Sequence, residues 1–172
     1  LLVFAVKAKA KVVRYPLLDL GSGFDVEGFR QTVEAQKAAG KMLVLLNFPN
    51  NPTGYSITES EADAITEILV SAADEGCEVI AVCDDAYFGL FYGNDVMKES
   101  MFARLAAAHP SIIAVKLDGA SKEDFAWGLR VAFVTYGVCS GAGAYVALEK
   151  KTAGCIRGTI SNSSNLSQEL IV

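Results

Sequence analysis

The hydrophobic pattern switches between short, solidly apolar runs and longer stretches with a helical repeat. "KMLVLLNF" (41–48), "CEVIAVCDD" (77–85) and "SIIAVKLDG" (111–119) are runs of the first kind. Their length and continuous apolar character predict strands buried on both faces. "LRVAFVTYG" (129–137) reads as a further strand, and "AKVVRYPL" (10–17) as one near the start. "DVEGFRQTVEAQKAAG" (25–40) has helical periodicity, with Asp25 placed to cap its start and Gly40 just past its end. "TESEADAITEILVSAADEG" (58–76) is the clearest helix: Thr58 and Glu61 have capping-box spacing and Gly76 closes it. "VMKESMFARLAAAH" (96–109) predicts another, ending before Pro110. Beyond 137 the pattern is helical, then rich in Ser and Asn.

Alternating strand and helix with apolar strands implies an α/β fold. The expected architecture is a three-layer α/β/α arrangement around a mostly parallel sheet. The join between 119 and 129 is too short for a crossover helix. The strand at 129–137 is therefore antiparallel to its predecessor or placed elsewhere in the sheet. No internal repeat or low-complexity linker interrupts the chain.

Composition narrows the function classes. The 172 residues suffice for one domain with a real core, and 52% are hydrophobic. A mean hydropathy of +0.32 argues against disorder. A net charge of −5 argues against a nucleic-acid or anionic-membrane surface. The four cysteines (Cys77, Cys83, Cys139, Cys155) form no CxxC pair, and His109 is the one histidine. That disfavours a metal site and predicts buried free thiols in a reducing, cytoplasmic setting. The opening "LLVFAVKAKAKVV" lacks a signal-peptide pattern. The uncharged run 131–148 is broken by Gly137, Ser140, Gly141 and Gly143 and falls short of the ~20 apolar residues that a bilayer span needs. The chain opens on a strand-like run and stops at "QELIV", so it is expected to be a piece of something larger.

In a mostly parallel sheet the carboxyl ends of the strands share one edge, where ligands bind. Three predicted strands deliver reactive side chains to it. "NFPNNPTG" (47–54) brings Asn51; "CDDAYFGL" brings Asp84, Asp85 and Tyr87; "LDGASKEDFAWGLR" brings Lys122, with Arg130 eight positions on. Each has an ordinary reading. Asn-Pro-Thr-Gly makes a good turn by itself. Asp at a strand end caps helices or faces water, and paired aspartates also hold metal ions. A lysine flanked by Glu123 and Asp124 is commonly solvated, and Arg130 opening a strand is an ordinary surface residue. The ordered set on successive strand ends is harder to explain one residue at a time.

That set resembles the fold-type I pyridoxal-phosphate enzymes, specifically the class I/II aminotransferases, from about Tyr15 to at least Tyr136. The motifs that carry the resemblance are "NNPTG", "DDAY" and "SK" followed by Arg eight residues later. It implies a partial large domain over 1–172, with the amino-terminal part and the small domain absent, and a cofactor, pyridoxal 5'-phosphate. Lys122 would form the internal Schiff base and shuttle a proton; its amine must lose its proton easily, which burial and cationic neighbours favour. Asp84 would pair with the pyridine nitrogen, leaving Asp85 on the opposite side of the strand end. Asn51 and Tyr87 would donate to the phenolic oxygen, and Arg130 would grip the phosphate bidentately. The family commonly has Ser or Thr three positions before the lysine. Here that position is Gly119, and Ser121 is the candidate substitute. Trp127 is assigned to packing.

Near the end, "IRGTISN" resembles a segment that reaches the neighbouring subunit's site in family homodimers. Arg157 is the candidate for a substrate's distal carboxylate and Ser161 for the neighbour's phosphate, although a solvated loop is the commoner reading of Arg157. The parent protein is thereby expected to transfer an amino group from an amino acid to a 2-oxo acid, as a homodimer. The isolated piece is expected to have little activity, because substrate orientation accounts for much of the rate. Three alternatives stand beside this. One is another enzyme of the same cofactor, such as a beta-lyase or decarboxylase, and one is a non-catalytic cofactor-binding regulator. The third, a nucleotide-binding domain with a metal on Asp84 and Asp85, lacks a GxGxxG or GxxxxGK loop.

Overall fold

Residues 41–47, 78–84 and 112–119 become parallel neighbours in one four-stranded sheet. The computed structural model describes residues 9–19, 21, 23–139 and 141–171. In chain order the elements begin with a two-stranded antiparallel ribbon, β1 (Leu18–Asp19) and β2 (Gly23–Phe24), then α1 (Val26–Lys37) and β3 (Lys41–Asn47). Next come α2 (Glu59–Asp74), β4 (Glu78–Asp84), α3 (Met101–Leu105) and β5 (Ile112–Gly119). The chain continues through α4 (Ala120–Glu123), a 3₁₀ turn (Trp127–Leu129), β6 (Ala132–Val138), α5 (Ala142–Thr159) and α6 (Asn165–Glu169). The sheet order is β3-β4-β5-β6, the first three parallel and β6 antiparallel to β5. The short join between β5 and β6 left two placements open, and β6 takes the antiparallel one beside β5.

The two faces of the sheet are covered differently. Val44 and Leu46, Val79, Ala81 and Cys83, and Ile112 and Ala114 point to one face and are buried. There they meet Ile65, Ile68 and Leu69 of α2 and Leu105 of α3 in one apolar core, which Phe24, Phe29 and Phe48 extend. Each buried Val, Leu, Ile or Phe among them contributes about 1.5–3 kcal/mol of transfer free energy. On the other face, Tyr136 pairs across the ladder with Val115, and its hydroxyl lies 2.6 Å from Thr152 Oγ1. Helix α5 therefore begins a second layer on that side. Leu43, 59% exposed, and Ile80 remain open on the same face. The α/β sheet with helices against it matches expectation, and its second layer is partial.

Local signals explain the helix ends. Asp25 Oδ1 accepts from Gly28 N at 2.7 Å. Thr58 and Glu61 complete a capping box. Glu61 extends it: its Oε1 accepts from Phe24 N (2.8 Å) and Tyr55 hydroxyl (2.7 Å), tying the ribbon to the start of α2. Gly137 answers to packing, since a Cβ there would sit 2.5 Å from Ala106 Cβ, at the end of α3.

Three expectations are corrected. Residues 10–17 form no strand; Val12 and Val13 are exposed and Tyr15 packs on Phe29 at 5.0 Å between ring centroids. β-propensity without a ladder partner does not make a strand, and Pro16 lacks an N–H. The helix expected over 96–109 shrinks to Met101–Leu105, capped by Ser100. Val96 instead bridges to Thr58, and Met97 N donates to Ile57 O (2.8 Å), so tertiary pairing overrides the local preference. Of the cysteines, Cys77 and Cys83 are buried, but Cys139 and Cys155 are exposed, because they lie past β6 and on α5, where the second layer is partial. Most of the opening "LLVFAVKAKAKVV" run, Ser140 and the final Val172 fall outside the described residues.

Candidate active site

Parallel register brings three strand ends level. Asn47 pairs with Asp84, and Asp84 with Leu117, so the loops that follow emerge from one edge. After β3 the chain makes a tight turn. Gly54 N donates to Asn50 O (2.7 Å), Asn50 N to Tyr55 O (2.8 Å), and Thr53 Oγ1 to Asn50 Oδ1 (2.8 Å). Gly54 has φ +73°, a conformation that favours glycine. Pro52 and Gly54 thus shape the turn, and Asn51 lies exposed at its start.

Asp84 and Asp85 diverge. Asp84 is half-buried, and its Oδ1 accepts from Ala86 N at 3.3 Å. Asp85 is 5% exposed and lines a small cavity of about 10 Å³ with Cys83, Met97 and Met101, on the core side. Burial pushes its carboxyl up to about 6, against the pull of Ser100 and Lys116. Lys116 Nζ stands 3.7 Å from Asp85 Oδ2, 2.9 Å from Asp118 Oδ1 and 5.0 Å from the Phe88 ring centroid. Burial pulls the Lys116 amine down, but the hydrogen bond and charge of Asp118, with Asp85 beside it, raise it overall. This charged group clamps the β4 and β5 ends on the side away from Asp84. It carried no signal in the sequence, where Lys116 is one polar position in an apolar strand.

β5 passes directly into α4, which carries Ser121 and Lys122. Lys122 Nζ lies 5.2 Å from the centroid of the Tyr87 ring, joining the "DDAY" and "SK" segments in space. Lys122 is exposed, so the burial its expected chemistry asks for is not supplied by the described residues. Ser121 is half-buried beside it. Arg130 follows the 3₁₀ turn with φ +56°, and its Nη1 donates to Trp127 O at 3.3 Å. Phe125 is also left-handed, at φ +53°. Two non-glycine residues in this region cost about 1–3 kcal/mol each and concentrate in functional loops. Trp127, expected to pack, is 73% exposed.

Arg157 stands apart. It sits in the last turn of α5, not in a loop, and donates to Ser161 Oγ at 2.7 Å.

Among the described residues, no group of three His, Cys, Asp or Glu side chains comes together to hold a metal ion. No helix among them is long and apolar enough to cross a membrane. An open concavity of about 440 Å³ lies at the opposite, amino-terminal end of the strands around Leu43, Ile80 and Ile113.

The sequence matches the model of one protein family, aminotransferase class I and II, over residues 4–172. The chain belongs to this family. A curated relative, the histidinol-phosphate aminotransferase of Staphylococcus carnosus, is 33% identical over 91 residues, which cover 53% of this chain and 23% of that protein. Among solved structures, an aminotransferase from Anaerococcus prevotii superposes with a TM-score of 0.85 at 22% identity, covering 97% of this chain and 41% of that one. An aromatic-amino-acid aminotransferase from Burkholderia pseudomallei, covalently bound to pyridoxal phosphate, gives 0.68 at 20% identity, covering 95% and 39%. These structural likenesses establish the fold. The chain spans about two-fifths of the length of these aminotransferase structures.

Asn47 is the residue that sequence reasoning missed. Its side chain bonds to both the Asn51 amide and the Asp84 carbonyl. The signal was available, since Asn47 begins the same asparagine-rich stretch.

Proposed function

We propose that this chain forms the cofactor-bearing part of a pyridoxal-phosphate-dependent aminotransferase that moves an amino group from an amino acid to a 2-oxo acid. The observation that carries this reading is the Lys122 amine placed over the Tyr87 ring at the strand edge that also presents Asp84. Family membership supports it.

The residues fit the cofactor chemically. Lys122 offers an accessible primary amine to condense with its aldehyde. The Asp84 carboxylate accepts one weak backbone bond on Oδ1, which leaves capacity to hold a protonated ring nitrogen. Asn51 and the Tyr87 hydroxyl are donors for its phenolic oxygen, and the exposed Arg130 guanidinium and Ser121 hydroxyl are donors for its phosphate. When bound, the cofactor supplies the electron sink for chemistry at the substrate's alpha carbon. Lys122 then returns as the base that moves the alpha proton.

Amino-acid and 2-oxo-acid substrates, a homodimeric assembly and a cytoplasmic location complete the proposal. Exposed Ile156 on α5, Ile160 just past its end and Leu166 on α6 support burial against further protein. Arg157 is proposed for a substrate's distal carboxylate within such an assembly. Turnover by this chain alone should be small, which agrees with an exposed Lys122.

Incubation with pyridoxal 5'-phosphate, borohydride reduction and peptide mapping test the reading. The expected result is pyridoxyl label on Lys122 well ahead of the other lysines. Label spread evenly over surface lysines would overturn it. Assaying the longer parent protein for 2-oxo-acid-dependent amino transfer separates transamination from lyase or decarboxylase chemistry.

A further inference from the structure

We infer that Asn47 is a positioning residue that sets Asn51 and Asp84 relative to each other. The inference rests on the proposed cofactor reading for its functional meaning, though its geometry stands alone. Asn47 ends β3 and is the register partner of Asp84. Its Nδ2 donates to Asp84 O at 2.9 Å, and its Oδ1 accepts from Asn51 N at 2.9 Å. Asn50 Nδ2 adds a weaker donation to the same oxygen at 3.4 Å.

The orientation of this amide is fixed by chemistry. A backbone N–H can only donate and a backbone carbonyl can only accept, so Oδ1 must face Asn51 and Nδ2 must face Asp84. The ordinary role of an asparagine at a strand end is a turn bonded within its own segment. Asn47 does that and also crosses to β4, a link that a local turn does not require. Two residues on, Pro49 has no N–H with which to extend the ladder. The Asn47 side chain takes over where backbone pairing stops. One rigid amide thereby connects the candidate donor to the phenolic oxygen with the strand end bearing the candidate partner of the ring nitrogen. These two groups would contact two different positions of one rigid ring, so an error in their separation would be felt at both.

The two halves of the link separate by mutation. Asn47→Asp keeps the acceptor facing Asn51 but loses the donor to Asp84 O; Asn47→Ala loses both. In the unliganded chain, NMR should show the Asn51 amide exchanging about tenfold faster in Asn47→Ala and near the wild-type rate in Asn47→Asp. The Asp84 carbonyl carbon resonance should move in both variants. With cofactor, label on Lys122 should fall about tenfold in both, and the pH at which the bound cofactor's absorption changes should rise in Asn47→Ala. A purely structural asparagine would lower the urea midpoint and leave that pH unmoved.

Unchanged Asn51 exchange in Asn47→Ala, or an unmoved Asp84 carbonyl in Asn47→Asp, overturns the inference. If Asn47→Ala does not fold, the Asp84 carbonyl shift in Asn47→Asp decides. Failure of the wild-type chain to label at Lys122 would remove the cofactor reading, and the NMR results would still decide the linkage.

Discussion

Lys122 Nζ and the Tyr87 ring lie 5.2 Å apart, although 35 positions separate them in the chain. Their approach follows from the parallel pairing of β4 with β5, which sets the two outgoing loops side by side. A cation over an aromatic face gains about 0.5–1 kcal/mol when exposed. Tyr87→Phe should therefore keep Lys122 in place while removing one donor to the cofactor. Cofactor affinity should fall about tenfold in Tyr87→Phe and further in Tyr87→Leu, measured by titration of absorbance.

The two aspartates should behave differently. Asp84→Ala should weaken label on Lys122 and abolish any alpha-carbon chemistry of the parent protein. Asp85→Ala should spare the chemistry and reduce stability. Denaturant melts beside the labelling assay check both, and the reverse pattern would transfer the ring-nitrogen role to Asp85.

Asp85 should also shape the pH dependence of stability. Burial holds its folded carboxyl at about 6, above the unfolded value near 3.8. Between those values the folded state binds more protons than the unfolded one, so this group's contribution falls as pH rises from about 4 to about 6. A shift of that size corresponds to roughly 3 kcal/mol. Urea melts of wild type and Asp85→Asn from pH 4 to 7 should show this downward slope only in the wild type.

Glu61 should give the opposite sign. Burial alone would raise its carboxyl, but donors from Thr58, Tyr55 and Phe24 outweigh it and hold the carboxyl low. Its contribution is present above the unfolded value near 4.3 and lost as pH falls through the lower folded value. Glu61→Gln turns an amide group toward these donors and should cost about 1–3 kcal/mol at neutral pH, less in acid. Thermal melts at pH 7 and pH 3 would show it.

Gly137→Ala tests the packing of β6 against α3. The added methyl would meet Ala106 Cα at 2.7 Å as well as its Cβ, and a backbone atom cannot swing aside. The expected loss is about 1–3 kcal/mol, read from the urea midpoint.

The amino-acid sequence by itself determined the parts whose causes are local. Helices α1 and α2 follow from apolar periodicity and from Asp25, Thr58 and Glu61, all within one turn of the ends they cap. β3, β4 and β5 follow from continuous apolar runs, and the join before β6 was too short for a crossover helix, which left its antiparallel place beside β5 to the tertiary structure. The ordered motifs also placed Asn51, Asp84, Tyr87 and Lys122 on one edge. Only the tertiary structure decided what depends on register between distant segments. It turned Val96 from a helix position into the bridge partner of Thr58, left residues 10–17 without a ladder, and placed Lys116 between Asp85 and Asp118. It also gave Asn47 its second partner, because a side chain's distant neighbours are fixed by sheet pairing, whereas its caps and turns are fixed by residues a few positions away.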